Sequence, residues 1–240
     1  MSRTDARALG GRVALVTGVS RRVGIGMAIA RRLGGLGADL LVQSWSPHDA
    51  EQPWGAEPDG AEGVVAELRS ELPGVRIEHT ALDFADPEAP RAAVAAAHSA
   101  FGALDVLVAN HARSSEQRLA ALTAAELDLA LAVNVRATLL LVQAFAAARD
   151  DARPGGRVVL MTSGQYRGAM PGELPYIAGK GALHQLTPSL AAELAPRGIT
   201  VNTVDPGATD TGYATPEIYA RPPSRRCRWA AGACPTMPPG

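Results

Sequence analysis

Thr17-Gly18-Val19-Ser20-Arg21-Arg22-Val23-Gly24-Ile25-Gly26 is the stretch whose reading decides the fold. It follows a β-branched run at residues 12–17 and precedes an apolar-periodic run at 24–36, so it stands where a strand passes into a helix. Glycines let the backbone come close to a bulky anion. The helix N-terminus adds unpaired N–H groups and the positive end of its dipole. A turn of this kind at the first strand–helix junction is built to hold the pyrophosphate of a dinucleotide. Gly18, Gly24 and Gly26 are the expected contacts, with Ser20 and Ile25 between them.

Outward from the turn, short Val/Leu/Ile-rich runs alternate with longer Ala-rich amphipathic stretches. Strands are expected at 12–17, 39–44, 75–82, 104–109, 157–161 and 200–204. Helices are expected at 24–36, 61–72, 87–101, 124–149 and 176–194. The alternation predicts an α/β fold, a doubly wound parallel (Rossmann) sheet in three layers with strand order 3-2-1-4-5-6. A single dinucleotide-binding and catalytic domain is expected over 1–220. The connection 45–59, rich in Pro, Gly and acids, is long for a strand–helix link. It reads either as a functional loop, with Trp45 or Trp54 as a stacking surface for adenosine, or as a solvated insertion.

The chain has 240 residues, is 47% hydrophobic and carries a net charge of −1. That balance provides a large core and argues against a nucleic-acid footprint. The two cysteines, Cys227 and Cys234, exclude a disulfide framework and fit a reducing compartment. No histidine has metal-ligand spacing with a partner, so no metal site is expected and each histidine is read as a surface or packed residue. The N-terminus lacks a signal-peptide core, and the apolar runs fall short of the ~20 residues that span a bilayer. A cytoplasmic location without membrane association is expected.

An acid at the end of the second strand marks NAD specificity, because it holds the ribose 2′-hydroxyl. Here that position falls on Ser44, followed by Trp45. Arg21 and Arg22 are placed to pair with a 2′-phosphate, so NADP is expected in preference to NAD; both arginines being solvated is the plain alternative. Tyr176-Ile177-Ala178-Gly179-Lys180 puts a tyrosine and a lysine at i and i+4 on one helix face. Ser163 ends the strand before that helix, and strand C-termini face the ligand crevice. Asn134 lies in the middle of an apolar helix, where a buried amide needs a reason. Together they supply the parts for carbonyl reduction. Ser163 orients the substrate oxygen, Tyr176 delivers the proton, and Asn134 holds a water that feeds protons through Lys180. A cation ~4 Å from the phenol is worth ~4 kcal/mol at an effective dielectric of ~20, so Lys180 is expected to bring Tyr176 towards working pH.

These motifs resemble the short-chain dehydrogenase/reductase family, carbonyl-reducing branch, over residues 12–213. Within that branch the chain is similar to 3-oxoacyl-[acyl-carrier-protein] reductases. The resemblance implies an oxidoreductase moving hydride between NADP(H) and a small carbonyl or secondary alcohol. Asn134, Ser163, Tyr176 and Lys180 would be the catalytic tetrad, with Tyr176 and Lys180 also touching the cofactor. Asp83 and the adjoining Phe84 would sit at adenine, Asn110 would line the cofactor and brace the central strand, and Pro206, Gly207, Thr209 and Thr211 would cover the nicotinamide. It also implies a homodimer or homotetramer built on helices 127–148 and 176–194. Substrate would meet residues 164–175 and 208–219, including Tyr166, Met170 and Tyr213.

Three features depart from the family pattern. The turn is two residues longer than usual. The usual Asn-Asn-Ala-Gly after the fourth strand reads Ala109-Asn110-His111-Ala112. The usual ending, with its seventh strand, is replaced at 221–240 by five prolines, four arginines and no acid. That composition reads as a frame shift or an unrelated tail, which would leave strand 200–204 as an edge. A second reading is therefore kept: a dinucleotide-binding protein without turnover, acting as partner, sensor or truncated product.

Overall fold

The computed structural model describes residues 7–207 and 209–212. The tail at 221–240 and Tyr213 lie outside the described residues. Among the described residues six strands form one sheet: β1 (Val13–Thr17), β2 (Asp39–Ser44), β3 (Ile77–Ala81), β4 (Val106–Ala109), β5 (Gly156–Met161) and β6 (Ile199–Val204). All pairings are parallel, in the order β3-β2-β1-β4-β5-β6 expected from the sequence. Every residue of β1 is buried. This follows from its central place, since a parallel sheet is covered on both faces and its inner strands read as unbroken apolar runs.

On one face, α1 (Ile25–Gly35) and α3 (Gly60–Glu71) pack Met27, Val64 and Leu68 against Val16, Val42 and Val108. On the other, α4 (Ala89–Phe101), α6 (Ala137–Ala148) and α7 (Leu174–Leu194) pack against Leu15, Leu107 and Leu160. Phe145 on α6 is 1% exposed and anchors this second core. Burying such a ring stabilises the fold by roughly 1.5–3 kcal/mol.

Two local features go beyond the sequence expectation. The long connection contains a short helix, α2 (Ser46–Ala50). The expected helix 124–149 is three pieces: α5 (Ala124–Leu131), one π-helical stretch at Ala132–Arg136, and α6. Thr123 caps α5 by accepting the Glu126 amide on its hydroxyl. By length and mean hydropathy (1.7) Ala124–Ala148 could cross a membrane, although Glu126, Asp128 and Arg136 interrupt its apolar run. In the structure this helix lies on the sheet, with Leu141, Val142 and Phe145 buried in the core.

The N-terminal end of the sheet is pinned by Asp105. Its carboxylate is 0% exposed, accepts the Val13 amide at 3.0 Å, and lies within 3.2 Å of Arg12 and 2.8 Å of Arg153. Burial opposes its ionisation, yet the Arg153 and Val13 hydrogen bonds hold its pKa below the ordinary value. The opposite, C-terminal end is left free for the crevice.

Candidate active site

The turn between β1 and α1 is shaped by its glycines. Gly18 has φ +72°, and a Cβ there would stand 2.9 Å from the His111 Cα. A Cβ on Gly26 would stand 2.3 Å from the Gly18 carbonyl oxygen. Only glycine permits either approach. Gly24 caps α1 without a side-chain hydrogen bond, and no acid occupies the first turn. The helix thus presents uncapped N–H groups at the crevice, as anion binding requires. Asn110 braces this corner: its amide nitrogen donates to the Thr17 and Gly18 carbonyls at 3.0 and 3.2 Å.

The two extra arginines part company. Arg22 is held by Glu57 (2.8 Å), Asp59 (2.6 Å) and Glu67 (2.7 Å), and its own amide donates to Glu57. These carboxylates push its pKa up and occupy its guanidinium on three sides. Its assignment as a phosphate contact is therefore corrected. Arg21 donates to the Thr211 carbonyl at 2.7 Å, and its guanidinium lies 5.5 Å from the centre of the Trp54 ring. Trp54 in turn donates to Asp49, which also accepts the Ser20 hydroxyl. The long connection thus backs the lengthened turn.

Two further assignments change for the same reason, burial. Ser44 is 1% exposed and its hydroxyl is hydrogen-bonded to His79 at 2.8 Å, so its side chain is buried and already partnered. Phe84 is 3% exposed, its ring centre 4.4 Å from that of His111, and its side chain belongs to the core. Asp83 is half-buried and accepts the Ala85 amide at 2.8 Å. Pro206, Thr209 and Thr211 line an apolar cleft of about 360 Å³ with Val23, Ile25 and Ile29. Gly207 donates its amide to Asp205.

Just beyond the end of β5, Ser163 acts on the Tyr176 phenol, favouring its ionised form. Lys180, one helical turn beyond Tyr176, is 2% exposed and donates to the Met161 carbonyl at 2.9 Å. Its nitrogen stands 5.7 Å from the Tyr176 ring centre. Burial pushes the lysine pKa down to about 8. Tyr176 does not follow the sequence expectation. Burial first, then Glu173 and Asp205, pushes its phenol above the ordinary value, opposed by Ser163. The lysine amine donates to the Met161 carbonyl.

Asn134 is 0% exposed and sits on the π-helical stretch. Its side-chain oxygen accepts the Arg113 amide at 2.7 Å, and its nitrogen donates to the Arg113 carbonyl at 3.1 Å. Gly179 of α7 packs directly on it; a Cβ there would come within 2.8 Å of the Asn134 Cβ. The structure therefore brings Asn134, Ser163, Tyr176 and Lys180 to one corner. Sequence reasoning missed Asp49, Arg113 and Glu173, whose parts depend on partners far along the chain. The acid-rich composition of 45–59 was the one available signal.

The model for short chain dehydrogenases matches residues 12–220. The chain belongs to the short-chain dehydrogenase family. The dehydrogenase is 37% identical over 210 residues to the uncharacterized oxidoreductase YjdA of Bacillus subtilis, covering 86% of this chain and 78% of that protein. It is 37% identical over 204 residues to a Streptomyces violaceoruber granaticin polyketide synthase putative ketoacyl reductase (84% and 69% covered). It is 34% identical over 211 residues to an uncharacterized NAD-dependent oxidoreductase of Mycobacterium tuberculosis (87% and 75%). Among solved structures, a Burkholderia cenocepacia short chain dehydrogenase in complex with NADP is 40% identical, with a TM-score of 0.73 over 84% of this chain and 76% of that one. An oxidoreductase fold that binds a nicotinamide dinucleotide follows for the dehydrogenase from this membership.

Proposed function

We propose that the protein reduces a small carbonyl compound, or oxidises the matching secondary alcohol, with NADP(H). The observation that carries this reading is Lys180, buried one helical turn beyond Tyr176 with its nitrogen 5.7 Å from the phenol ring centre. The glycine cradle and the uncapped N-terminus of α1 fit the dinucleotide pyrophosphate. When bound, the nicotinamide supplies or accepts the hydride.

The protein's residues do the rest. Ser163 holds the substrate oxygen by its hydroxyl and aims it at the phenol. As negative charge grows on that oxygen, Tyr176 donates its proton. A phenol with a raised pKa stays protonated at neutral pH, which suits the reducing direction. Lys180, with a pKa near 8, is placed to return a proton through the Asn134 corner. Arg21, held over Trp54, is the cation proposed to read the 2′-phosphate, and Asp83 and Asn110 are proposed to line the adenosine and its ribose. Pro206, Gly207, Thr209 and Thr211 are proposed to cover the nicotinamide. A homodimer or homotetramer on α5–α6 and α7 belongs to the same reading, and sedimentation velocity checks it.

Titration with NADPH and NADH, followed by a carbonyl-substrate screen, is the test. NADPH binds more tightly than NADH, and Arg21→Ala weakens NADPH by about 10- to 100-fold, the loss of one charge-assisted contact of roughly 1.5–3 kcal/mol. Tyr176→Phe lowers turnover by about 10²–10⁴-fold with binding retained. Dinucleotide binding with no turnover of any ketone or alcohol supports the non-catalytic reading instead.

A further inference from the structure

The short helix α2 touches two parts of the site at once through adjacent residues. Asp49 accepts the Ser20 hydroxyl of the dinucleotide turn and the Trp54 ring N–H. His48, next to it, reaches the other way. Its Nε2 accepts the Ser114 amide at 3.2 Å, and its Nδ1 lies 3.5 Å from the Arg113 guanidinium. Arg113 is the residue whose backbone brackets the Asn134 side chain from both sides. Its guanidinium is anchored to Glu126 on α5 at 2.7 Å and approaches Glu51 at 3.7 Å.

The Ser114 N–H points at Nε2, so that nitrogen serves as the acceptor and the ring has to be neutral, with its one proton on Nδ1. Burial and the Arg113 charge favour the neutral form, opposed by Asp49, Glu51 and Glu126. A half-buried, neutral imidazole facing a backbone N–H is unlike a solvated surface histidine. Without it the Ser114 amide would lose its acceptor, and the segment carrying Arg113 would lose one of its few anchors outside Asn134 itself.

We infer that His48 is a positioning residue for Asn134: through Ser114 and Arg113 it fixes the asparagine corner, while Asp49 fixes the dinucleotide turn, so that α2 sets the distance between the two halves of the site. This rests on the proposed reductase function for its kinetic readout only. Asparagine occurs at three positions, 110, 134 and 202, so the Asn134 side-chain signal is followed by nitrogen-15 NMR in asparagine-labelled protein, without any turnover.

The variants are His48→Leu, which fills similar space without an acceptor, and His48→Gln, which restores an acceptor at the Nε2 position. His48→Leu is expected to shift or broaden the Asn134 side-chain signal, and to lower kcat at least fivefold with the NADPH Kd within twofold of the parent. His48→Gln is expected to recover both to within twofold. An unchanged Asn134 signal in folded His48→Leu overturns the inference. So does a loss in both variants that tracks melting temperature without rescue by glutamine. Failure of the parent protein to reduce any carbonyl sinks the reductase reading instead, and the NMR comparison still decides the role of His48.

Discussion

At position 111 a histidine stands where the family pattern has alanine, and its ring is fully engaged. Thr17 Oγ1 donates to Nδ1 at 2.8 Å and Nε2 donates to the Val133 carbonyl at 3.1 Å, a tautomer assigned from this network. Burial first, then the Lys180 charge, pushes its pKa down to about 3. In the unfolded chain the group titrates near 6.5. Between those values the unfolded state binds a proton that the folded state does not, so stability falls as pH drops below 6.5. The expected slope is up to about 1.4 kcal/mol per pH unit from this one group. Denaturant midpoints of His111→Ala measured between pH 5 and 7 should show a shallower pH dependence than the parent. Glu173, three residues before Tyr176, acts on the phenol by charge alone. Its own pKa is raised by burial and by Glu116. In Glu173→Gln that repulsion disappears, and the Tyr176 limb of the pH–rate profile moves to lower pH. A limb that stays in place would show that Glu173 does not face the phenol.

Helix α7 and the helix carrying Asn134 meet where neither has room to spare. Gly179→Ala places a methyl 2.8 Å from the Asn134 Cβ. Overpacking of this kind typically costs about 1–3 kcal/mol, and it displaces the asparagine, so thermal stability and turnover should drop together. Gly181→Ala is the control. The nearest atom to its new methyl, the Gln165 amide nitrogen, is 4.0 Å away, and alanine is the better helix former by about 1 kcal/mol. It should melt at or above the parent temperature. At this scale much was legible in the sequence. The strand order follows from short apolar runs alternating with amphipathic stretches, the glycine turn from its place at the first junction, and the Tyr176–Lys180 face from the helical period of 3.6, all of which local sequence records. The π-helical stretch at Asn134, helix α2 and the burial of Ser44 and Phe84 do not. Each depends on a polar or aromatic partner dozens of residues away, such as His79 for Ser44 and His111 for Phe84, and no local period encodes such a pairing.

The whole molecule keeps its two jobs at opposite ends of the sheet. Asp105→Asn strikes only the N-terminal end, leaving Arg12 and Arg153 facing a neutral, buried amide. Breaking a buried pair in this way costs roughly 3–5 kcal/mol, and the NADPH Kd should stay within twofold, as denaturation and titration of the same sample would show. A matching loss of affinity would mean that strain travels the length of the strands. At the C-terminal end, the two-residue lengthening of the turn and the long connection after β2 are held together by Arg22 with Glu57, Asp59 and Glu67. Glu57 and Asp59 lose their cation if the arginine is taken away, while Glu67 on α3 keeps Arg31, and the arginine loses two of its three counter-charges if the connection is replaced. In a chimaera built between homologues, the turn and the connection are therefore a single cassette. Grafting either alone imports half of a charge balance, and a lineage that acquired one insert would have been under pressure to acquire the other.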